Sequence, residues 1–345
     1  SLAAIVKKKL PTLPGLDKRL YSSDNSFRLD ANITDTRWLE ILLGIPFRSE
    51  RPIQLRADID DLKRSINAEI LAPDFNYSGN SFKDGFLHLD TQGDTLFVAA
   101  AVNKEQGDGG GLVLGIDGKA ADNRFSSTLS VNYRTGARIH GTLCSEMQFF
   151  RNEAGANAMR LDFKPSRLMV KDTTWTVHPS SVIYNGSSIQ IEHFAIEHGS
   201  QHIRIDGLAT KSASDSICVD LRGVDVNYIL NLVNFHSVEF SGYATGQAYL
   251  KSVLNTPDAY ARLRVDNFHF EDGRMGTLYA AVDWNKTEKQ IDIDAHADEE
   301  TGAQTIIKGY VSPAHNYIDL GITAHDTNIE FLQSFCGSFM DRVNA

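Results

Sequence analysis

Between Ile191 and Gly207 the chain reads IEHFAIEHGSQHIRIDG, which places His193, His198 and His202 close to Glu192 and Glu197. Imidazole and carboxylate groups so crowded are the usual donors of a zinc site. Which chemistry is open to them depends on the periodicity of the segment. On a helix, His198 and His202 share a face at i, i+4. Glu197 and Gly199 then break the His-Glu-x-x-His order, and Gly199 sits mid-helix at a cost of about 1 kcal/mol. As a hairpin turning at Gly199-Ser200, the segment pairs His198 with Gln201, Glu197 with His202, Ile196 with Ile203, Phe194 with Ile205 and His193 with Asp206. Phe194, Ile196, Ile203 and Ile205 fall on one face, and His193, Ala195, Glu197, His202, Arg204 and Asp206 on the other. This sorting is what period-two alternation produces, so the hairpin is preferred. His193 and His202 are then four pair positions, roughly 13 Å, apart at about 3.4 Å per residue, too far for one zinc at about 2 Å from each. The histidines are expected to pair with acids on a solvated face, with no metal.

Other chemistry-bearing patterns fare no better. Gly107-Asp108-Gly109-Gly110-Gly111 lacks the Gly-Lys-Ser/Thr of a phosphate loop, the helix and spacing of a dinucleotide fingerprint and the order of a calcium repeat, and reads as a hairpin loop. Asp58, Asp60 and Asp61, with Asp30 and Asp35 upstream, form no EF-hand loop and no carboxylate pair of defined geometry. No G-x-S-x-G occurs, and no Cys–His pair is set by spacing. Trp38, Trp175 and Trp284 read as core anchors, with a carbohydrate platform as the alternative. No catalytic, cofactor or metal residue is expected.

The elements that position these residues are strands. LVLGIDG, STLSVNYRTGARIHGTL, AMRLDF, SRLMVKDTTWTV, YARLRVDNFHF, TLYAAVDW, KQIDIDAHA, QTIIKGYV and YIDLGITA alternate, and Gly- and Asn-rich turns separate them. Strand follows strand without intervening helices, which favours an antiparallel meander over parallel crossovers. Helical patterning is confined to three places: 36–44, with a Thr36 cap and a Gly44 stop, 225–235 and 327–336. The first two are followed by matching sequences, IQLRADID then a strand ending PDFNYSG, and VEFSGYATGQAYL then a strand ending DNFHFEDG. Phe75 and Tyr77 of the first correspond to Phe268 and Phe270 of the second. The pattern is an internal repeat with unequal spacing, the third helix opening a further copy. The expected division is 1–165 and 166–345, with an approximate boundary.

The 345 residues are 42% hydrophobic, enough for one long or two ordinary domains. A net charge of −10 argues against nucleic acid. Lys7 to Lys9 is too short a basic run for a membrane anchor, and no apolar run reaches spanning length. The chain begins at Ser1 with neither methionine nor signal peptide, as expected of a piece excised from something longer. Cys144, Cys218 and Cys336 are far apart and rule out a disulfide-dense scaffold or zinc knuckle.

From about Leu168 onward the chain resembles the TamB family (translocation and assembly module subunit TamB, Bacteroidota type) and more distantly the AsmA-like proteins. The carrying residues are TTWTVHPSSVIY (Trp175, Pro179), QHIRIDGLATKSASDSICVDLRGVDVNYI (Ile205, Gly207, Asp215, Val219, Leu221) and FSGYATGQAYLKSVLNTPDAYARLRVDNFHF (Gly242, Gly246, Pro257, Leu263, Val265). The first half matches chiefly through the internal repeat. The resemblance implies a long sheet curled into an open groove or taco with an aliphatic and aromatic concave face. It further implies a periplasmic location, an inner-membrane anchor elsewhere in the full protein and an outer-membrane Omp85-type barrel partner. Its function would be outer-membrane assembly or lipid transport, although the anchor and the extreme C-terminal domain are absent from this sequence.

An alternating sheet with few helices to cover it must fold on itself or hold an apolar guest. The expectation is therefore an all-β, elongated, non-enzymatic protein with short helices at repeat boundaries. Its groove face would include Phe194, Ile196, Ile203, Ile205, Leu263 and Val265, carrying phospholipid acyl chains or unfolded outer-membrane protein segments, without a cofactor. Two rivals are an extracellular carbohydrate-binding or glycoside-hydrolysing β-protein, with rings and carboxylates converging on the outer face, and a structural or adhesin β-sandwich.

Overall fold

The computed structural model describes residues 2–13, 25–105, 111–133, 139–170, 172–227, 240–270, 273–299, 302, 304–312 and 317–325. These residues form 22 strands, all antiparallel and assigned to one sheet, and two short helices. The expected all-β antiparallel architecture is present. The chain divides into two compact units, Ser1–Gly186 and Ser187–Ala345.

In the first unit, helix α1 (Leu2–Lys9) precedes β1 (Ser26–Ile33), α2 (Arg37–Leu43) and β2 (Phe47–Ser49). A meander follows through β3 (Ile53–Asp60), β4 (Ser65–Tyr77), β5 (Asn80–Gln92), β6 (Thr95–Glu105), β7 (Gly111–Ala121), β8 (Arg124–Tyr133) and β9 (Ile139–Arg151). Each strand from β3 to β9 pairs with the next, β1 pairs with β3, and β2 pairs with the end of β4. The long strand β9 then divides its edge between β10 (Asn157–Phe163) and β11 (Ser166–Val170), which pair onward with β13 (Ser180–Tyr184) and β12 (Thr173–Val177). The stretches read as single strands at STLSVNYRTGARIHGTL and SRLMVKDTTWTV are each two strands, β8 with β9 and β11 with β12. The sequence alternates on both sides of each break, so periodicity alone does not reveal it.

The second unit is a simpler meander of nine strands: β14 (Ile189–His198), β15 (Gln201–Ala209), β16 (Ser216–Asp225), β17 (Phe240–Lys251), β18 (Asp258–Phe270), β19 (Gly273–Asn285), β20 (Gln290–Asp298), β21 (Gln304–Ser312) and β22 (Tyr317–His325). Every consecutive pair is hydrogen-bonded antiparallel. The repeat is visible in the strands: β4 and β5, like β18 and β19, have 13 residues each, and β4 and β18 both carry aromatic residues at their C-terminal ends. Phe47, Phe75 and Phe82 stack at 5.0 and 5.2 Å between ring centroids, and Phe240 packs against Phe268 and Phe270 at 6.0 and 5.3 Å.

Of the expected helices, 36–44 is α2. Its stop is as read, because Gly44 has φ of +65° and its N–H donates to the Glu40 carbonyl. Its cap is not Thr36. The Arg37 N–H donates to the Asp35 carboxylate at 2.9 Å, while the Thr36 hydroxyl is buried and accepts from Ser49 N–H. Most of 225–235, all of 327–336 and positions 107–110 of the glycine loop lie outside the described residues. Helix α1 was not expected. Its Ile5, together with Leu10 just beyond it, is buried in a cluster with Ala57, Ile66, Ala68, Leu96, Ala120 and Phe149. The basic last turn of Lys7, Lys8 and Lys9 opposes the negative end of the helix dipole. Lys9 donates to the Gly93 carbonyl at 3.0 Å, and the Asn123 N–H donates to the Lys9 carbonyl at 2.9 Å, fixing the helix end to two strand turns.

Candidate functional site

Strand register places like residues side by side across many strands. In the second unit one row runs Ile196, Ile203, Leu221, Gly246, Leu263, Ala280, Ala295, Ile307, Ile322. The adjacent row runs Phe194, Ile205, Val219, Ala248, Ala261, Val282, Ile293, Gly309, Leu320. Nine strands contribute to each row without one polar side chain. Val265 lies two residues from Leu263 and so on the same side, in a further row with Ala244, Leu278 and Ala297. All six residues expected on the apolar side therefore share one side of this meander. Val265 is fully buried in a cluster with Phe268, Phe270, Met275 and Leu278, while Phe194, Ile196, Ile203, Ile205 and Leu263 are half-buried.

The first unit repeats the device. Ala31, Leu55, Ile70, Leu87, Ala100, Ile116, Leu129 and Leu143 make one uninterrupted apolar row across β1 and β3–β9. Parallel to it, Leu29, Ala57, Ala68, Leu89 and Val98 make a second row. The buried and half-buried members of that second row on β3–β6 pack in the cluster around Ile5 and Leu10. Among the described residues the first row has no such cluster over it. Over it lies a cavity of about 360 Å³ lined by Ile70, Leu87, Ala100, Ile116 and Leu129, five consecutive members of the row, with Ala72, Phe75, Val102 and Leu114 beside them. Two small residues create the space. Ala100 stands where its row neighbours carry Leu87 and Ile116. Gly85 lets the Phe75 ring lie across the strand, since a Cβ there would sit 2.7 Å from Phe75 Cε1. Sequence reading overlooked this site, whose signal was the Ala99-Ala100-Ala101 run inside an otherwise large-residue alternation.

The opposite sides are polar. In the first unit Asp30, Arg56, Glu69 and His88 stand in register, followed by Ala99 and Asp117. In the second, Arg204, Asp220, Gln247 and Arg262 do so.

The histidine hairpin keeps its expected turn and four of its five pairs, His198–Gln201, Glu197–His202, Ile196–Ile203 and Phe194–Ile205. The fifth is displaced by a β-bulge: Glu192 and His193 together oppose Asp206, with His193 at φ of +55°. The Asp206 carboxylate accepts from the His193 N–H at 2.6 Å and lies 3.2 Å from its Nδ1. His202 departs further from expectation. It is buried, not on a wet surface, and its Nε2 lies 2.6 Å from Asp220 Oδ2 on the next strand. Glu197 instead accepts from Arg204 at 2.6 Å. Burial pushes the Asp220 carboxyl up, but hydrogen bonds from His202 and Gln247 outweigh it and leave the group below its usual range. A cavity of about 470 Å³ adjoins this pair, lined by Leu221, Arg222, Thr245, Gln247 and Arg262. The three histidines thus sit in separate settings, and no group of three metal-ligating side chains occurs among the described residues. Beyond Gln247, Tyr249 and Tyr260 stack at 5.1 Å, with Lys251 and Arg262 over the Tyr260 ring.

Protein-family models, curated proteins and solved structures give no match to the chain. Among the described residues, no helix is long and apolar enough to cross a membrane, which says nothing of a β-barrel. What the apolar rows can do chemically is limited and definite. Their side chains offer no hydrogen bond, so a guest must bring none that needs satisfying, and attraction comes from apolar area removed from water at about 25 cal/mol/Å².

Proposed function

We propose that this chain is part of a periplasmic, TamB-like envelope-biogenesis protein, and that its apolar rows form a groove surface that shields the acyl chains of lipid in transit to the outer membrane. Unfolded segments of outer-membrane proteins are the second cargo class, and an Omp85-type barrel is the partner, reached through other parts of the full protein. The observation that carries the reading is the apolar row from Ile70 to Leu129 with the cavity that lies along it. It spans five strands, about 19 Å at roughly 4.8 Å per strand, against about 15 Å for one leaflet of a 30 Å hydrocarbon core. A polypeptide would place its amides against side chains that cannot pair with them, which favours acyl chains as the occupant here. The reading involves no catalysis, cofactor or metal. Mass spectrometry of the purified protein tests it: co-purified lipid is expected with the parent chain and a marked loss of it when Leu87, Ile116 and Leu129, which line the cavity, are made polar. Lipid-free parent protein, or equal lipid on the folded variant, contradicts it.

One observation favours a second reading, carbohydrate binding on the opposite side, where Tyr249 and Tyr260 stand among Gln247, Arg262 and Asp283. Glycan-array binding lost on Tyr260→Ala, with lipid content unchanged, is the outcome that would favour it.

A further inference from the structure

Strand β1 ends the first meander on one side: among the described residues it pairs only with β3. There is no proline, lysine or bulge in SFRLDANI, and Phe27 and Leu29 are 47% and 41% exposed although they continue the apolar rows. An edge of this kind is a template for another strand. The sequence of β1 also specifies which strand fits. Laid antiparallel on itself about Leu29, it places Leu29 against Leu29 and Phe27 against Ala31 on the apolar side. On the polar side the same register sets Arg28 against Asp30, and by symmetry Asp30 against Arg28. Opposite charges directly across a strand pair are favourable and like charges unfavourable.

The other described terminal strand matches less well. With Leu29 against Leu320 of β22, Asp30 faces Asp319. With Leu29 against Ile318, a single Arg28–Asp319 pair forms. Only the self-pairing gives two opposite-charge pairs with Phe27, Leu29 and Ala31 each facing an apolar residue.

We propose that β1 is the interface of a two-fold dimer of this chain, in which two copies join edge to edge and the apolar rows of one continue into those of the other through Ala57, Leu29, Leu29 and Ala57. The contact is isologous and closes, as most homodimers do. It does not depend on the nature of the cargo. Arg28 and Asp58, 2.6 Å apart, and the Arg56–Asp30 pair at 3.9 Å lie on the neighbouring strand side, so the same charges bridge three strands.

Sedimentation equilibrium across a concentration series provides the test. The parent is expected to dimerise. Asp30→Arg, which sets Arg28 against a second cation, should weaken dimerisation at least tenfold, and Arg28→Asp with Asp30→Arg should restore it to within threefold. A second measurement does not rely on reversing charge. Leu29→Cys lies on the two-fold axis and should give a disulfide-linked dimer on a non-reducing gel. Ser26→Cys, whose register partner is Asn32, should not. A parent that stays monomeric, an open-ended polymer, a dimer indifferent to the charge exchange, or cross-linking equal at 26 and 29 would each overturn the proposal.

Discussion

Ala100→Phe is the sharpest perturbation of the apolar cavity. Ala100 is the small member of a row otherwise built from leucine and isoleucine between β4 and β8, and with Gly85 it leaves room for the cavity of about 360 Å³. A phenyl ring there fills the space between Leu87 and Ile116, in the middle of the trough. If it displaces about four methylenes of a guest, each worth about 0.8 kcal/mol when buried, binding weakens by about 3 kcal/mol, roughly a hundredfold in Kd. Ala99, one residue earlier on the same strand, faces the other way between His88 and Asp117, so Ala99→Phe adds the same ring to the polar side. The assay is fluorescence titration with a single-chain fatty acid carrying an environment-sensitive dye, with far-UV circular dichroism and melting to establish that both variants fold. The expected result is the hundredfold loss for position 100 and a change within threefold for position 99. Equal affinity of the two folded variants would refute the assignment of the trough as the seat of the guest.

Three further outcomes follow from the packing and charges. Ile5→Ala removes a side chain only 1% exposed and should lower stability by about 3 kcal/mol in denaturant titration, showing that α1 is integral to the first unit. Gly246→Ala puts a Cβ against the Arg262 carbonyl oxygen at φ of +149° and should cost at least about 2 kcal/mol, measured the same way. Asp220 is held below its usual pKa in the folded state, so its contribution to stability is present above the unfolded value and is lost as pH falls through the folded one. Asp220→Asn should therefore flatten the acid limb of the stability–pH curve, with an unchanged limb as the contrary result.

How much of this was legible in the sequence depended on the range of the interaction. The turn at Gly199-Ser200 and the sorting of Phe194, Ile196, Ile203 and Ile205 follow from period-two alternation within one hairpin, which local sequence contains. The bulge at His193 does not, because alternation is preserved on both sides of it and only one residue adopts a positive φ. The burial of His202 was unreadable for a different reason. Its partner, Asp220, lies on the next strand, and the alignment of β15 with β16 is fixed by the length of an intervening loop. Helix α1 was missed because eight residues with three lysines at the end make a weak pattern, whereas its stability comes from distant Ile66 and Leu96. The cavity depends on Gly85 beside Phe75 and on one alanine among the large residues of neighbouring strands, a relation visible only once the register is known.

The central claim is that the apolar rows are where a hydrocarbon guest lies. Photo-cross-linking with a fatty acid bearing a diazirine on its chain, followed by peptide mapping, tests it most directly. Adducts are expected on the β4–β8 segments at Ile70, Leu87, Ile116 and Leu129, suppressed by unlabelled fatty acid and by Ala100→Phe. Adducts centred on Glu69, His88 and Asp117 of the opposite side, or labelling that unlabelled fatty acid does not compete, would contradict it.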